Sequence, residues 1–128
     1  MIDALERCVE EKYPEVVCYS GDRVMLIRQP DITRVYSENR KIVVCTDKER
    51  YECKQTLSDL EEKLDPDTFV RISRFELINL KKVAGFDLNI AGTIKVYFKD
   101  RSETFVARRY VSLIQQKLKA RIEGAKEK

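Results

Sequence analysis

The chain contains no histidine and no tryptophan, and its 128 residues include only four glycines and three prolines. Histidine is the side chain whose ordinary pKa lies nearest neutrality, so its absence removes the commonest general acid–base catalyst and a principal zinc ligand. The glycines, Gly21, Gly85, Gly92 and Gly124, lie far apart and form no phosphate cradle, and neither a GxSxG elbow nor an HExxH pair occurs. Cysteine occurs four times, as Cys8, Cys18, Cys45 and Cys53, but never as a CxxC pair. These read as buried free thiols, with Cys45 and Cys53 expected to face each other across a hairpin. Acid pairs such as Glu61 and Glu62, or Asp65 and Asp67, fall in or beside a predicted helix end, where charge favours solvation. The absences point away from an enzyme and imply no metal and no cofactor. No long uncharged apolar run is present, so no membrane insertion is expected, and residues 1–13 carry Asp3, Glu6, Glu10 and Glu11, unlike a secretory leader. A cytoplasmic protein is the expectation.

What is present is a foldable balance: 43% of the residues are hydrophobic and 37% charged, enough apolar material for one independently folding domain at this length. The net charge of +3 is small, so its distribution carries the electrostatic argument. From Arg108 onward the cations Arg108, Arg109, Lys117, Lys119, Arg121, Lys126 and Lys128 face only Glu123 and Glu127, whereas the first thirteen residues hold four anions and two cations. A basic C-terminal half suits an anionic partner without requiring one.

Along the chain, residues 2–12 read as a short helix with Leu5, Cys8 and Val9 on one stripe, ended by the Tyr13–Pro14 step. Strands are predicted at 16–19, 23–27, 32–36, 41–46 and 50–53, the first two joined by the turn sequence Ser20, Gly21, Asp22 and the next two by the polar tip 37–40. Thr56 or Ser58 caps a helix carrying Leu57, Leu60 and Leu64 on one face, stopped by Pro66. Further strands are predicted at 69–72, 83–88, 93–98 and 103–107, with 75–78 apolar and Ala91–Gly92 a connection. Val111, Ile114, Leu118 and Ile122 mark a terminal helix over 109–122, followed by a frayed tail over 123–128. A helix-turn-helix is not expected, because Pro66 and a strand stand where its recognition helix would begin. The expected fold is mainly β with short helices, an α+β chain of antiparallel sheets.

Residues 69–83, FVRISRFELINLKKV, set cations at intervals inside a strand-like apolar run. Arg40 at a hairpin tip, Arg74 between a strand and an apolar turn, and Arg109 at a helix start are positions from which a guanidinium can extend to a guanine edge or a phosphate. The order aromatic, Arg, Ser–Arg, then apolar-apolar-Asn-Leu, here ending in Glu76, Leu77, Ile78, Asn79 and Leu80, resembles the core signature of the LytTR family of bacterial DNA-binding domains. The resemblance runs from near Glu15 to about Leu118. It implies an elongated fold of packed antiparallel sheets, with an N-terminal helical appendage over 1–14 and the DNA-binding domain over 15–122. It further implies that loops, and no recognition helix, enter adjacent major grooves of double-stranded DNA, with Arg40, Ser73, Arg74 and Arg109 at the base-reading positions. The chain departs from many relatives in carrying Ser73 where they carry histidine. No receiver domain of the kind common in the family fits before Glu15, so control by receiver phosphorylation is not expected.

Lys41, Lys81, Lys82, Arg101 and Arg108 lie beside the reading positions and are assigned to phosphates, since an ammonium is a point charge that discriminates bases poorly. Asn79 reads as a turn-forming residue that bonds its own backbone. The leading function is a stand-alone sequence-specific transcriptional regulator. The family habit of recognising paired direct repeats implies a homodimer on DNA, with the helix over 2–12 as a dimer contact or as the contact for a regulatory protein partner. The alternative is a β-rich protein-interaction module of a signalling pathway that does not bind DNA directly.

Overall fold

Runs of β-branched and aromatic residues form ten strands among the described residues, which are 13–88 and 93–126 of the computed structural model, with side chains of the last helix described to residue 120. The helix expected over 2–12 and the connection at Ala91–Gly92 lie outside them. Seven strands make one antiparallel sheet: β1 (Val16–Ser20), β2 (Arg23–Ile27), β3 (Ile32–Glu38), β4 (Lys41–Thr46), β5 (Arg50–Cys53), β6 (Phe69–Ser73) and β7 (Glu76–Asn79), in the spatial order β2-β1-β5-β4-β3-β7-β6. Three more, β8 (Val83–Asp87), β9 (Ile94–Phe98) and β10 (Glu103–Val106), make a second sheet in the order β10-β9-β8. The mainly β character with antiparallel sheets matches the expectation from sequence.

Turn chemistry sets the strand ends. Gly21, at φ 61, opens a two-residue turn between Ser20 and Arg23, and its missing Cβ makes that left-handed conformation accessible. At the β3–β4 tip both central residues are left-handed, Asn39 at φ 53 and Arg40 at φ 66, the arrangement whose twist matches that of the flanking strands. The ladder therefore closes at Glu38 opposite Lys41, and the tip is two residues long where the polar sequence predicts four.

Helix α1 (Leu57–Lys63) starts at Thr56, which decides between the two candidate caps. The Thr56 hydroxyl accepts from the Asp59 amide at 3.1 Å, and the Asp59 carboxylate accepts from the Thr56 amide at 3.4 Å. Leu57, Leu60 and Leu64 are buried, as their spacing predicts. Helix α2 (Val111–Lys126) is preceded by a 3-10 turn over Arg108–Tyr110. Arg109 is thus the middle of that turn and not the first residue of the helix, and the helix runs on past residue 122. Residues 127 and 128 of the expected tail lie outside the described residues.

Two cores result, and β6–β7 serve both. Phe69 and Leu77 join Val16, Cys18, Val35, Val44 and the α1 leucines on one face of the large sheet. Val70, Ile72 and Ile78 join Val96, Phe98, Val106 and Ile114 of the small sheet and α2 on the other. This is the period-two alternation of a strand buried on both sides. The thiols follow their registers: Cys45 lies opposite Arg50 and Cys53 opposite Ile42, so the two do not face each other as the sequence predicts. The β4–β5 connection closes between Thr46 and Glu49, which offsets the pair by three positions. Cys53 instead meets Cys18 of β1, and their shared hydrogen bond, with burial, pushes the Cys18 thiol far above its ordinary range.

Two buried amides close the cores. Asn79, fully buried, donates from Nδ2 to the Ile32 carbonyl at 2.8 Å and accepts at Oδ1 from the Lys81 amide at 2.8 Å. It therefore bonds its own backbone as expected, and also ties β7 to the start of β3. Gln29 donates to the carbonyls of Pro14 and Lys63 and accepts from the Asp65 amide, holding three segments with one side chain. Replacing Asn79 by leucine strands the Ile32 carbonyl and the Lys81 amide, so Asn79→Leu is expected to lower unfolding free energy by about 2–3 kcal/mol. Urea denaturation checks this, and a loss below that of an exposed-site control would mean that water replaces both bonds.

Candidate nucleic-acid interface

The register that pairs Tyr36 with Glu76 lays the β3–β4 tip beside the β6–β7 tip, and the Ser37 amide donates to the Phe75 carbonyl at 2.8 Å between them. On the other side of β6, the Ala107 amide donates to the Ile72 carbonyl at 2.7 Å and brings the Arg108–Tyr110 turn to the same end of the sheet. Arg40, Ser73, Arg74 and Arg109, the predicted reading residues, therefore converge there from three separate turns, together with Lys41 and Arg108. Arg40, Lys41, Arg74 and Phe75 line one shallow concavity of about 410 Å³, with Lys54 at its rim.

Electrostatics distinguish these cations. Arg40, Arg74, Arg108 and Arg109 are exposed, and none has an acidic partner among the described residues. Lys41 is only loosely matched with Glu52 at 3.9 Å, both side chains being well exposed. A guanidinium in that condition is hydrated but uncommitted, free to make paired hydrogen bonds to a base edge or a phosphate.

Arg74 is held by its neighbours more than by itself. A register shift between Arg71 and Ser73 bulges β6 just before the tip. Arg71 then lies on the α1 side, pairs with Glu61 at 3.2 Å and donates to the Arg74 carbonyl at 3.2 Å. The Ser73 hydroxyl accepts from the Phe75 amide at 3.1 Å, closing the turn. Phe75 remains 60% exposed, with the Arg74 guanidinium 5.9 Å from its ring centroid. Arg71, Phe75 and Lys54 were not picked out from the sequence. An aromatic directly after an arginine at a strand end is the signal that could have found Phe75; Arg71 reads locally as an ordinary strand residue.

The remaining predicted contacts lie elsewhere. The Lys99 amide donates to the Lys82 carbonyl at 2.9 Å, placing the β9–β10 turn and Arg101 beside Lys81 and Lys82. That group sits at the opposite end of β7, on the order of 15 Å from the arginine tips at strand rise. Lys82 is bound to Asp47 at 3.0 Å, and Asp47 also accepts from the Thr33 hydroxyl at 3.0 Å. The hydrogen bonds from Lys82 and then Thr33 hold the Asp47 carboxyl below its ordinary pKa. The sequence sets all five phosphate candidates beside the reading positions, but the fold keeps Lys41 and Arg108 there and carries Lys81, Lys82 and Arg101 to the far end.

Residues 22–119 match the family of LytTr DNA-binding domains. Two proteins of Staphylococcus aureus, from strains NCTC 8325 and COL, both named as uncharacterized HTH-type transcriptional regulators, are 29% identical over 108 residues, spanning 84% of this chain and 73% of theirs. The solved LytTr DNA-binding domain of a protein described as a methyl-accepting/DNA response regulator, from Bacillus cereus, superposes with a TM-score of 0.79. That match covers 82% of this chain and 96% of the other at 17% identity, and speaks for the fold. In this chain α1 is followed by Pro66 and β6, so no helix-turn-helix is formed among the described residues.

Arg40 occupies a left-handed position that glycine fills best. Arg40→Gly is expected to raise unfolding free energy by about 0.5–1 kcal/mol, the relieved Cβ strain less the extra chain entropy of glycine. Equilibrium denaturation decides it; a loss of stability would show that the Arg40 side chain supports the fold.

Proposed function

The chain belongs to the LytTR family of DNA-binding domains, and on that premise we propose that it is a sequence-specific regulator of transcription whose arginine-tipped end docks on duplex DNA. The observation that carries this reading is the convergence of Arg40, Arg74 and Arg109, exposed and without acidic partners, from three turns onto one end of the sheet. A family of DNA-binding domains is not an enzyme family, and no helix among the described residues is long and apolar enough to cross a membrane.

In the proposed mode the tips enter adjacent major grooves. Arg40, Arg74 and Arg109 reach guanine O6 and N7, the acceptor pair that matches a guanidinium fork, and Ser73, whose hydroxyl proton is not used in the turn, donates beside Arg74. Phe75 offers an apolar face to a thymine methyl or a sugar. Lys41 and Arg108 at the same end meet phosphates, fixing register without reading sequence. Lys81, Lys82 and Arg101 engage phosphate only if the duplex also passes the far end of the sheet. Occupancy of paired direct repeats places two copies on one duplex.

Selection of bound sites from random duplex DNA supplies the probe. Arg40→Ala, Arg74→Ala and Arg109→Ala are each expected to weaken binding to the selected site by about 1–3 kcal/mol and to narrow its advantage over random DNA. Lys41→Gln is expected to weaken both alike and to flatten the dependence of log affinity on log salt by about one unit. Parental affinity in all three arginine variants would remove the base-reading assignment. Salt-insensitive binding to a protein, with none to DNA, would favour the interaction-module alternative.

Arg71 touches no base in this mode yet braces the Arg74 carbonyl. Arg71→Met is therefore expected to lower discrimination between selected and random DNA in the same direction as Arg74→Ala, while the salt slope stays near that of the parent. A variant with intact discrimination would show that the turn holds Arg74 without this brace.

A further inference from the structure

The large sheet has two edges, and among the described residues only one is covered. At β6, the Ala107 amide bonds the Ile72 carbonyl, and the Arg108–Tyr110 turn packs along the strand. At β2, the two-residue turn after Ser20 makes Ser20 and Arg23 the first bonded pair, so Arg23, Met25 and Ile27 face β1 with their backbone groups. The amides and carbonyls of Val24 and Leu26 then point outward, and no hydrogen bond occupies them. Their side chains are each 60% exposed, on the face of the sheet that also carries Val17 and Tyr19 through the pairs Val17 with Leu26 and Tyr19 with Val24. Two devices that ordinarily protect an edge are missing from this strand, which has no proline and no bulge, and its one charge, Arg23, is exposed at the first residue.

We infer that the outer edge of β2 is a self-association surface on which β2 of a second copy pairs antiparallel, joining the two large sheets into one. The edge is self-complementary in one register. Opposing Val24 with Leu26 of the other copy matches both apolar residues twice over, with Met25 opposite its own counterpart on the two-fold axis. Val24 and Leu26, the residues with outward backbone groups, then form the closely bonded pairs, as the antiparallel ladder requires. Sliding the second strand by two residues in either direction instead sets an apolar side chain of that outer face against Asp22 or Arg28, whereas the favoured register confines its mismatch, Arg23 with Ile27, to the other face. The favoured register places Asp22 opposite Arg28 of the other copy at both ends, a charge match that neither neighbouring register offers.

The paired faces extend into a continuous apolar row, Tyr19 and Val24 of one copy meeting Leu26 and Val17 of the other, repeated by the two-fold axis. One strand pair buries a surface at the low end of specific interfaces, so the association depends on concentration. The axis stands perpendicular to the sheet and turns the two arginine-tipped ends in opposite directions. The sheet-joined pair is consequently a different arrangement from two copies side by side on one straight duplex, and it stands or falls without DNA.

Sedimentation of the full chain over a concentration series, without DNA, is expected to show a monomer–dimer equilibrium. Hydrogen exchange should then give concentration-dependent protection of the Val24 and Leu26 amides and no change at Met25, whose amide already bonds β1. Full-length protein with Val24→Lys and Leu26→Lys is expected to stay monomeric with an unchanged circular dichroism spectrum. Asp22→Arg protein and Arg28→Asp protein should each dimerise more weakly than the parent, and a mixture of the two should recover association as heterodimer. A parent that stays monomeric at the highest attainable concentration overturns the inference. So does a dimer whose Val24 and Leu26 amides gain no protection, which would place the interface elsewhere, including residues 1–12. A mixture that fails to recover association overturns the register.

Discussion

The β6–β7 hairpin is the constraint on which the rest depends, because its side chains must fill two different cores at once. Successive residues of a strand point to opposite faces, so Phe69 and Leu77 can enter the core beneath α1 only if Val70 and Ile78 enter the core beneath the small sheet. A slip of one residue would exchange both sets, burying Arg71 in the second core and turning Glu76 toward the first, a cost no apolar gain could offset. Asn79 fixes the register at the far end through Ile32, and the β3 ladder fixes it along the strand. The same alternation sends Arg71 toward α1, where Glu61 receives it and its guanidinium reaches the Arg74 carbonyl. Core register and tip geometry are thus one decision.

At Arg40 the sequence departs from what its turn prefers. A two-residue turn with both residues left-handed favours Asn-Gly; Asn39 conforms and Arg40 does not. Arg101, at φ 76 in the β9–β10 turn, is a second arginine in such a position. Local inconsistencies of this kind concentrate where a side chain is wanted for something other than folding. In the proposed docking mode the property wanted at Arg40 is reach: a short, stiff hairpin carries the guanidinium clear of the body with little backbone freedom to lose.

Legibility from sequence tracks how local the determining physics is. β1, β2 and β4 are written in short β-branched runs and their turn residues, and α1 in the spacing of three leucines behind Thr56. The placement of Arg40, Ser73 and Arg74 at strand tips was accessible because tips are punctuated by turn chemistry and because the order around them resembles a known family. Pairing across distance was not accessible: nothing within residues 76–82 shows that Lys82 would find Asp47, or that Arg101 would join it far from Arg74. Cys45 and Cys53 illustrate the same limit, since their opposition depended on a turn length that differs by a few residues from the simplest hairpin. Arg109 missed its helix start because Arg108–Tyr110 wind as a 3-10 turn, whose sequence requirements differ little from those of a first α-turn.

A net charge of +3 is a poor guide to the field of this molecule, because some of its cations are matched by carboxylates and others are not. Arg34 with Glu76, Arg50 with Glu38, Arg71 with Glu61, Lys82 with Asp47 and Lys95 with Glu103 are each opposed by a carboxylate. Paired charges cancel within a few ångströms and contribute little at the Debye length of about 8 Å in physiological salt. What survives at that distance comes mainly from cations left unmatched, and four of them, Arg40, Arg74, Arg108 and Arg109, occupy one end. The chain can therefore be nearly neutral overall and still present a group of unmatched guanidiniums at one end to a polyanion.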